Sequence, residues 1–392
     1  MATPRMQDAT AMFDAVVIGA GIQGAGVAQA LAAEGYNVAL VEQARHPAAQ
    51  TSSKSSKLIH GGLRYLETAE LTLVRECLRE RRILTRIAPS LVSLKPFYIP
   101  VYRGQKRSAF WIHLGLLLYR FLGGGACRKH SLAKAAQLGL NTHNLQALFE
   151  YQDAQTDDVK LTCAVVKSAE KLGATVVFNF DAVACQRLPA GYSVKAADGR
   201  TLQAGAIINA AGAAINRIAQ FDSSWPTVAI DLVQGTHLIL DYPAPAGCIY
   251  TESPDDGRAV FLLPWYGKLM VGTTELSRGS NPDLNAVTER ERTYLLRVVA
   301  HALCDVSLGD LTVLDAFSGL RVLPKEGQPG ALNKKARDTR LVHQLSTQHQ
   351  YLAIYGGKLT AYRATAQKVV AKLKPFLPPC HPKHSTAQLP LT

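Results

Sequence analysis

A βαβ unit near the start of the chain constrains the fold more than any other feature of the sequence. The apolar run Phe13 to Gly19 predicts a buried parallel strand, residues 25 to 34 predict a helix, and Asn37 to Val41 predict a second strand that ends at Glu42. The turn between the first strand and the helix has the pattern G-x-G-x-x-G, formed by Gly19, Gly21 and Gly24. Such glycines allow a tight turn, close approach to a pyrophosphate and close packing of the helix on the strand. The unit therefore predicts a Rossmann-like domain for an ADP-containing cofactor. Glu42 would hold a ribose hydroxyl, which argues against NADP but does not separate NAD from FAD.

A hydroxyl-rich segment follows this unit. The stretch Thr51 to Glu67 reads TSSKSSKLIHGGLRYLE and places small hydroxyl groups and cations next to a pair of glycines. Small hydroxyl residues let hydrogen-bond donors approach a polyanion, and paired glycines let the chain pass against a flat ring. We expect these residues of the segment to contact the cofactor: Thr51, Ser52, Ser53, Ser56, Lys57, Leu58, His60, Gly61 and Gly62. Arg64 can donate paired hydrogen bonds to a substrate anion, with Tyr65 beside it.

Two further transitions from strand to glycine favour FAD over NAD. Tyr351 to Tyr355 predicts a short strand and residues 361 to 373 predict a helix; the turn between them consists of Gly356, Gly357, Lys358, Leu359 and Thr360. The positive end of that helix, together with Lys358, would stabilise the negative charge that a flavin acquires around N1 and the C2 carbonyl when it accepts a hydride. Residues 206 to 212 are again a strand followed by small residues, of which Ala211 and Gly212 would approach the adenosine end. Three separated sites of this kind suit a long cofactor held by a discontinuous domain.

Seven motifs together resemble one family. Spread between Phe13 and about Phe376, they are VIGAGIQGAG, TSSKSSKLIHGGLRYLE, KPFYIPVYR, VFLLPW, VGTTE, FSGLRVL and YGGKLTAYR. With these motifs the chain resembles the FAD-dependent glycerol-3-phosphate dehydrogenases, within the wider glycine and D-amino-acid oxidase-like flavoproteins. Two features depart from the family: NAAGAA replaces Asn-Ala-Thr-Gly-Pro-Trp, and Val322 stands where a proline commonly follows the arginine. The family usually has a C-terminal helical domain of roughly a hundred residues, which we expect this chain to lack because it stops at Thr392.

The resemblance also implies a reaction and the residues that perform it. sn-Glycerol 3-phosphate would give its C2 hydride to N5 of a non-covalently bound FAD and become dihydroxyacetone phosphate. The electrons would pass to a quinone, or to oxygen if the enzyme is an oxidase. Arg321, with Arg64 and Arg337, would bind the phosphate, since paired guanidinium donors suit that group. His237, a side chain with an ordinary pKa near neutrality, would accept the proton of the C2 hydroxyl, with His60 as the alternative base.

The motifs predict an α/β fold combined with an α+β substrate domain. The Rossmann-like FAD-binding domain would comprise residues 12–68, 155–227 and 345–376. The interleaved substrate domain, at residues 69–154 and 228–344, would begin with the amphipathic helix LTLVRECLRERRILTRIA and contain an antiparallel sheet, because THLILDY, AVFLLPW and LMVGTTE have strand-like patterns. Residues 377–392 are rich in proline and predict an extended tail, with no metal site expected there or elsewhere.

Composition indicates which kinds of partner and which cellular compartment suit this chain. The formal net charge of +13 favours an anionic partner, and substrate phosphate or acidic lipid fits this better than nucleic acid, because no recognition module is present and the positive residues are dispersed. Seven scattered cysteines without a CxxC pair indicate a reducing compartment. The first residues contain no apolar signal region. We therefore expect a cytoplasmic protein.

The run Lys106 to Leu122, KRSAFWIHLGLLLYRFL, combines a basic start with an apolar and aromatic body. It is shorter than the ~20 apolar residues that span a bilayer. Its apolar residues cover most of the helix circumference, which fits either a helix buried in the substrate domain or a helix lying in a membrane interface. Together with the net charge and the family resemblance, it predicts peripheral attachment to the cytoplasmic face of the inner membrane.

Two other functions are compatible with the same residues. Arg64 and Arg321 would bind a carboxylate as readily as a phosphate, so the substrate could be a 2-hydroxy acid or an amino acid. The chain could also be a flavin-binding paralogue without turnover. Reduction of the flavin by a panel of substrates separates these functions.

Overall fold

The computed structural model describes residues 12–280, 286–325 and 339–392, and within them the chain divides into two compact units. The first unit comprises the described residues of Met1–Ser53, Asp158–Leu232 and Val322–Thr392, and the second comprises those of Lys54–Asp157 and Val233–Arg321. Each unit contains most of one β-sheet and has its own buried apolar residues.

Helices and strands are mixed along the chain, with several runs of consecutive strands. In chain order the strands of the described residues are β1 Phe13–Ile18, β2 Val38–Val41, β3 Leu58–Ile59, β4 Val92–Tyr102, β5 Arg128–His130, β6 Leu145–Thr156, β7 Thr175–Val177, β8 Ala182–Arg187, β9 Tyr192–Ala196, β10 Thr201–Asn209, β11 Ile230–Pro243, β12 Cys248–Glu252, β13 Ala259–Trp265, β14 Lys268–Gly272, β15 Leu276–Ser277, β16 Val313–Pro324, β17 Arg340–Leu345 and β18 Gln350–Tyr355. The α-helices are α1 Ile22–Glu34, α2 Leu71–Ile87, α3 Ala109–Tyr119, α4 Leu132–Gln137, α5 Asp158–Lys171, α6 Ile215–Ala219, α7 Glu289–Ala302 and α8 Tyr362–Leu373. Short 3₁₀ turns occupy Thr51–Ser53, Leu63–Thr68, Gly212–Ala214 and Leu308–Asp310, and a π-helical turn, Arg120–Gly124, follows α3.

The sheet of the first unit is parallel at its centre. Its strands lie in the order β17, β18, β10, β1, β2 and β7, with β8 and β9 added beside β10. The pairs from β18 to β7 are parallel, as the near-continuous apolar sequences of β1 and β2 predict for strands covered on both faces. Ile18 lies opposite both Asn209 and Val41, so the carboxyl ends of β1, β10 and β2 meet at one edge. Parallel sheets of this type bind ligands at that edge.

Helix α1 is apolar on all sides and is buried. It packs against α5 and α8, and Gly26 permits the second contact, because a Cβ at this position would lie 2.6 Å from the ring of Tyr362. The helix begins at Ile22 rather than at the predicted Ala25, since Gly24 adopts helical geometry in the first turn. The fingerprint glycines therefore belong partly to the helix itself.

The tail at residues 377–392 contains no helix or strand, but it packs on the first unit. Lys383 N donates to Ala33 O at 2.9 Å, and Arg363 Nη1 donates to Thr386 Oγ1 at 3.3 Å. Leu391 is buried. The tail is thus an extended segment with fixed contacts to α1 and α8.

The sheet of the second unit is mainly antiparallel. Its strands lie in the order β15, β11, β14, β13, β12, β4, β6 and β3, with β16 beside β11 and β5 beside β6. Along that order the neighbours are antiparallel except β12 and β4, which are parallel. Alternate residues of β4 enter two different apolar clusters: Phe97 and Ile99 pack with α2 and α3, whereas Tyr98 and Tyr102 pack with α7. This is the two-residue period expected of a strand.

Residues 54–68 pack with the second unit, although their motif groups them with the cofactor domain in the sequence. Strand β3 pairs with β6, where Leu58 lies opposite Gln155, and Thr156 N donates to Lys57 O at 2.9 Å. Because β3 and β6 are far apart in the chain, their pairing cannot be predicted from a local motif. The hydroxyl-rich segment is consequently divided, with Thr51 to Ser53 in the first unit and the remainder in the second.

Candidate active site

The glycine turn after β1 has no room for side chains. Gly19 has a φ of +104°, which other residues rarely adopt, and a Cβ there would lie 2.7 Å from Ala210 O. A Cβ on Gly24 would overlap the carbonyl oxygen of Gly19, and one on Gly21 would lie 3.1 Å from Ser52 Oγ. The turn therefore presents backbone at the start of α1, which is what close approach of a pyrophosphate requires.

Glu42 lies at the end of β2 and is buried. Its Oε2 accepts a hydrogen bond from Ala20 N at 2.7 Å, and its Oε1 accepts one from Ala44 N at 3.0 Å. These bonds fix the carboxylate beside the glycine turn. Each carboxylate oxygen retains a second lone pair, so Glu42 can also accept a hydrogen bond from a ribose hydroxyl.

The 3₁₀ turn Thr51–Ser53 adjoins the same helix end. Ile22 N donates to Ser52 Oγ at 2.9 Å, so this side chain occupies the N-terminus of α1. Ser53 Oγ donates to Gln50 O at 2.9 Å and closes the turn. Ser52 is thus beside the glycine turn, whereas Ser53 shapes the loop.

The other two strand-to-glycine transitions also lie in the first unit. After β10, Asn209 Oδ1 accepts from Ala211 N at 3.2 Å, its Nδ2 donates to Tyr351 OH at 3.0 Å, and Gly212 has a φ of +57°. After β18, Gly356 and Gly357 have φ values of +74° and +118°. Gln23 Nε2 donates to Lys358 O at 3.1 Å and so ties this turn to α1.

A single sheet edge therefore carries most of the predicted cofactor contacts. They follow β1, β2, β10 and β18 and belong to the first unit: Gly19, Gly21, Gly24, Glu42, Thr51, Ser52, Ser53, Ala211, Gly212, Gly356, Gly357, Lys358, Leu359 and Thr360. The remaining predicted cofactor contacts, namely Ser56, Lys57, Leu58, His60, Gly61 and Gly62, belong to the second unit.

His237 is buried in the second unit, with 2% of its surface exposed. Its Nε2 lies 2.9 Å from Ser56 Oγ, and Phe317 stacks on its ring at 5.1 Å between centroids. Among the described residues, His237 Nδ1 has no hydrogen-bond partner. Burial, reinforced by the positive charges of Arg321 and Lys57, lowers the pKa of His237 to about 3. The ring is therefore neutral at physiological pH and has a lone pair available for a proton.

Arg321 lies within β16, three residues before its end, and donates to acceptors in the VGTTE segment. Its Nη1 donates to Glu275 Oε1 at 3.0 Å, and its Nη2 donates to Thr273 Oγ1 at 3.1 Å and to Thr274 O at 3.3 Å. Gly235 packs against the guanidinium, because a Cβ there would overlap Nη2. The guanidinium orientation is thus fixed by the VGTTE segment.

Two lysines lie near Phe317, the ring that stacks on His237. Lys57 Nζ lies 5.0 Å from the centre of the Phe317 ring and 5.5 Å from that of Trp265, and Lys54 Nζ lies 5.6 Å from the Phe317 ring. All three distances are within the range of cation–π attraction. Lys57, predicted to bind the cofactor, is therefore a neighbour of His237 as well.

The loop from His60 to Tyr65 is positioned by a buried carboxylate. Gly61 N donates to Asp153 Oδ1 at 2.9 Å, and Asp153 is paired with Arg81 at 2.6 Å. A Cβ on Gly61 would overlap Leu78 and Tyr119, and Gly62 has a φ of +80°. Both glycines of this pair are thus required by the packing of the second unit.

Arg64 stands over the ring of Tyr65, with 5.5 Å between the guanidinium carbon and the ring centre. Within the described part of the chain, its buried Nε has no hydrogen-bond partner. Burial opposes its charge, but Tyr65 and Glu275 outweigh that effect and raise the pKa of Arg64. A buried donor without an acceptor is costly, so this atom is suited to an incoming anion. The rival base His60 lies 6.3 Å from Tyr65, ring to ring.

Several residues of this site were not identified from the sequence. Ser56 is a predicted cofactor contact, but its contact with His237 was not predicted, and neither were the bonds by which Thr273, Thr274 and Glu275 hold Arg321. The motif VGTTE contains the last three, but a motif names residues without giving their partners. The predicted phosphate contact Arg337 lies outside the described residues. In the described ranges, no cluster of three or more His, Cys, Asp and Glu could hold a metal ion.

Comparisons with known proteins identify the family of the chain. The family model of FAD dependent oxidoreductases (DAO) matches residues 14–363. A glycerol-3-phosphate dehydrogenase of Pseudomonas aeruginosa is 35% identical over an alignment of 395 positions, which covers 97% of this chain and 75% of that protein. The aerobic glycerol-3-phosphate dehydrogenase of Escherichia coli K12 and the D-erythritol 1-phosphate dehydrogenase of Brucella abortus are each 33% identical, over 93% of this chain and 74% of theirs.

Solved structures support the same fold. The glycerol-3-phosphate dehydrogenase of Bacillus halodurans complexed with FAD superposes with a TM-score of 0.74 at 24% identity, over 98% of this chain and 68% of that one. The L-α-glycerophosphate oxidase of Mycoplasma pneumoniae with FAD bound gives 0.76 at 16% identity, over 97% and 98%. These similarities confirm the predicted fold class.

Proposed function

The chain belongs to the FAD-dependent oxidoreductase family, and we propose that it oxidises sn-glycerol 3-phosphate to dihydroxyacetone phosphate. The observation that carries this proposal is a buried, neutral histidine surrounded by cations: His237 lies beside Ser56, with Arg321 and Lys57 close enough to depress its pKa. A neutral imidazole suits removal of a hydroxyl proton, and the cations suit a phosphate. The relatives named for glycerol 3-phosphate support the substrate.

The residues of the first unit fit FAD, which supplies the acceptor for the hydride that leaves C2. Gly19, Gly21 and Gly24 provide the space in which the pyrophosphate would meet the start of α1. Glu42 would accept a hydrogen bond from the ribose. Lys358 and the N-terminus of α8 would offset negative charge on the flavin ring, since both are positive.

Arg64, Arg321 and Arg337 would bind the phosphate of the substrate. The Nε atom of Arg64 is buried and has no acceptor in the described residues, so a phosphate oxygen would relieve its desolvation. Arg321 is held in a fixed orientation by Glu275 and Thr273, which limits the positions that a phosphate can take. Fixed donors of this kind orient a substrate without cost at the time of reaction.

His237 would remove the proton of the C2 hydroxyl through Nδ1. If Nε2 carries the hydrogen and donates to Ser56 Oγ, the lone pair of Nδ1 is left to receive the proton. The depressed pKa of His237 is caused partly by Arg321 and Lys57. A bound phosphate dianion would neutralise these charges and raise the basicity of the ring, so the base would become effective when the substrate is present.

We further propose that α3 attaches the protein to an anionic membrane at the cytoplasmic face, where electrons would pass to a quinone. Three aromatic side chains of α3 and the π-helical turn that follows it are strongly exposed: Phe110 by 69%, Trp111 by 66% and Phe121 by 82%. Leu114, Leu117 and Leu118 are exposed on the same helix, while Leu116 and Tyr119 anchor it to the core. In the described part of the chain, none of the helices combines the length and apolarity needed to span a bilayer. Exposed aromatic residues on a short helix suit the headgroup region.

Anaerobic mixing with sn-glycerol 3-phosphate tests the reaction. We expect the flavin absorbance to bleach, and dihydroxyacetone phosphate to appear in the amount of flavin reduced. D-erythritol 1-phosphate belongs in the same panel because of the Brucella relative, together with a 2-hydroxy acid and an amino acid. Bleaching by one of these, but not by glycerol 3-phosphate, would reassign the substrate. No bleaching by any of them would leave a flavin-binding protein without turnover.

Flotation with phosphatidylglycerol-containing vesicles tests the membrane surface. The wild type should float and should keep floating in moderate salt, whereas the double variant Trp111→Ser, Phe121→Ser should remain at the bottom. The matched control changes two exposed apolar residues elsewhere in the same unit, Leu132→Ser and Leu314→Ser, and should float. Binding that salt abolishes, and that the α3 variant retains at low salt, would mean that charge alone attracts the protein.

A further inference from the structure

Glu291, the third residue of helix α7, does more than cap the helix. Glu291 is buried, with 5% of its surface exposed. Its Oε2 accepts from Thr288 N at 3.1 Å and from Gln234 Nε2 at 2.9 Å, and Thr288 Oγ1 in turn accepts from Glu291 N at 3.3 Å. The reciprocal bonds with Thr288 form a capping box, which satisfies the N-terminus of α7.

The other oxygen of Glu291 is not needed for capping. Its Oε1 accepts from Thr236 Oγ1 and from Thr274 Oγ1, each at 2.7 Å. Thr274 Oγ1 also accepts from Thr236 N at 3.0 Å. One carboxylate oxygen therefore joins two chain segments that meet beside α7.

These two segments carry the principal side chains of the site. Thr236 directly precedes His237 on β11. Thr274 lies in the VGTTE segment, and its carbonyl oxygen accepts from Arg321 Nη2 at 3.3 Å. Thr273 and Glu275, on either side of it, accept the other bonds from Arg321. A shift of either threonine would consequently move the imidazole relative to the guanidinium.

We propose that Glu291 is a positioning residue, which fixes His237 and Arg321 relative to one another by holding Thr236 and Thr274. This role rests on the proposed function of those two residues. It does not require Glu291 to touch substrate or cofactor.

An ionised carboxylate accepts all the hydrogen bonds that reach this position. Three hydroxyls, one amide and the Thr288 N–H converge on the two oxygens of Glu291. Burial opposes ionisation, but the hydrogen bonds from Thr274 and Thr236 outweigh it and lower the pKa of Glu291. A glutamine has the same shape, but its NH₂ group would replace one acceptor oxygen, so the hydroxyls that donate to that oxygen would have to turn and accept instead. Glu291→Gln should therefore replace charge-assisted hydrogen bonds to Thr236 and Thr274 by weaker neutral ones and loosen both residues, without leaving a cavity.

The test compares Glu291→Gln with Glu289→Gln, which changes an exposed carboxylate in the first turn of the same helix. For each variant we would measure FAD per chain, the limiting rate of anaerobic flavin reduction per bound FAD, and the concentration of glycerol 3-phosphate at half saturation. Glu291→Gln should lower the limiting rate about tenfold or more and raise the half-saturating concentration several-fold, since loss of ~1.4 kcal/mol is a tenfold effect. Glu289→Gln should stay within twofold of the wild type.

A second readout does not depend on turnover. Inorganic phosphate should raise the melting temperature of the FAD-loaded wild type and of Glu289→Gln, and should do so less for Glu291→Gln. If Glu291→Gln does not fold, Thr236→Val removes one donor to Oε1 and keeps the capping box. Thr236→Val should show the same slower flavin reduction and the same weaker phosphate response as Glu291→Gln.

The proposal would be overturned if Glu291→Gln or Thr236→Val lowered the melting temperature but kept the wild-type rate, half-saturating concentration and phosphate response. Glu291 would then be only a helix cap. A wild-type protein that no polyol phosphate reduces would refute the proposed function instead. In that case a weakened phosphate response in Glu291→Gln would still support the positioning role.

Discussion

The two units build their candidate sites by different physical means. In the first unit, the turn after β1 depends on space: Gly19 and Gly24 leave room that any Cβ would fill. In the second unit, His237 and Arg321 depend on charge and on hydrogen bonds from neighbours such as Ser56 and Glu275. The comparison shows how each site can fail. A site made of backbone is damaged by added volume, whereas a site made of side chains is damaged by lost charge or a lost partner.

The largest effect is expected in the side-chain site. His237→Asn removes the proton acceptor but keeps a polar group next to Ser56, so FAD should remain bound. We expect the rate of flavin reduction by glycerol 3-phosphate to fall about 10²–10⁴-fold, the usual contribution of a general base. Anaerobic stopped-flow absorbance measures it. A loss below tenfold, combined with a larger loss in His60→Asn, would transfer the role of base to His60.

The backbone site gives the next largest effect. Gly24→Ala adds a methyl group that would overlap the carbonyl oxygen of Gly19. We expect FAD affinity to fall by about 3 kcal/mol, at the upper end of the cost of overpacking and roughly a hundredfold in Kd. Titration of the apoprotein with FAD, followed by flavin fluorescence, provides the value.

The chain offers a matched control for this change. Gly115 is also a helical glycine, in α3, and a Cβ there would meet nothing within 4 Å. Gly115→Ala should leave FAD affinity unchanged and add slightly to stability, since alanine is the better helix former. Equal FAD affinity in Gly24→Ala and wild type would show that the turn can widen, and the contrast between the two units would lose its basis.

Arg321→Lys sharpens the comparison because it keeps the positive charge but removes the planar, paired donors of the guanidinium. A lysine cannot donate to Glu275, Thr273 and Thr274 at once in the arrangement that Arg321 adopts. We expect kcat/KM for glycerol 3-phosphate to fall by about 1.5–3 kcal/mol, the scale of charge-assisted hydrogen bonds. Arg258→Lys is the control, because Arg258 is an exposed neighbour of the same Glu275 at 3.7 Å. Similar values for both variants would remove Arg321 from the phosphate site.

The sequence predicted the backbone site more completely than the side-chain site. The family, the fold class and FAD are confirmed by the comparisons, and the structure has strands where FDAVVI and YLAIY predict them. These features are local, because a glycine turn and the strand before it are adjacent in the chain. The partners of His237 come from residues 56, 57, 317 and 321, and nothing in a local pattern gives such contacts.

Two helices show the same limit in another form. Both α1 and α3 are apolar around most of their circumference, and both patterns are compatible with burial. Helix α1 is enclosed by α5 and α8, whereas α3 exposes Phe110 and Trp111. Tertiary packing decides between the two outcomes. Glu291 was not predicted to belong to the site, because an acidic residue in the first turn of a helix usually stabilises the helix end and is exposed to solvent.

The smallest predicted effect concerns the stability of the protein rather than its rate. The pKa of His237 is about 3 in the folded protein, as against an ordinary value of 6.5. Above pH 6.5 the imidazole is neutral in both the folded and the unfolded chain, so it contributes no dependence on pH there. Between pH 6.5 and 3 the unfolded chain takes up a proton that the folded protein does not, and folding stability therefore falls as the pH falls.

Between pH 7 and pH 5 this residue alone should cost about 2 kcal/mol of unfolding free energy, because each pKa unit corresponds to ~1.4 kcal/mol. Urea denaturation of the wild type and of His237→Asn at both pH values, in buffer without phosphate, isolates that amount as the difference between the two pH dependences. Phosphate should reduce the wild-type loss, since a bound anion beside Arg321 and Lys57 offsets the charges that lower the pKa of His237. An identical pH dependence in the two proteins would mean that the folded imidazole is protonated as easily as the unfolded one. In that case the charges of Arg321 and Lys57 and the burial of the ring would not lower the pKa of His237, and the side-chain site would not depend on charge as proposed.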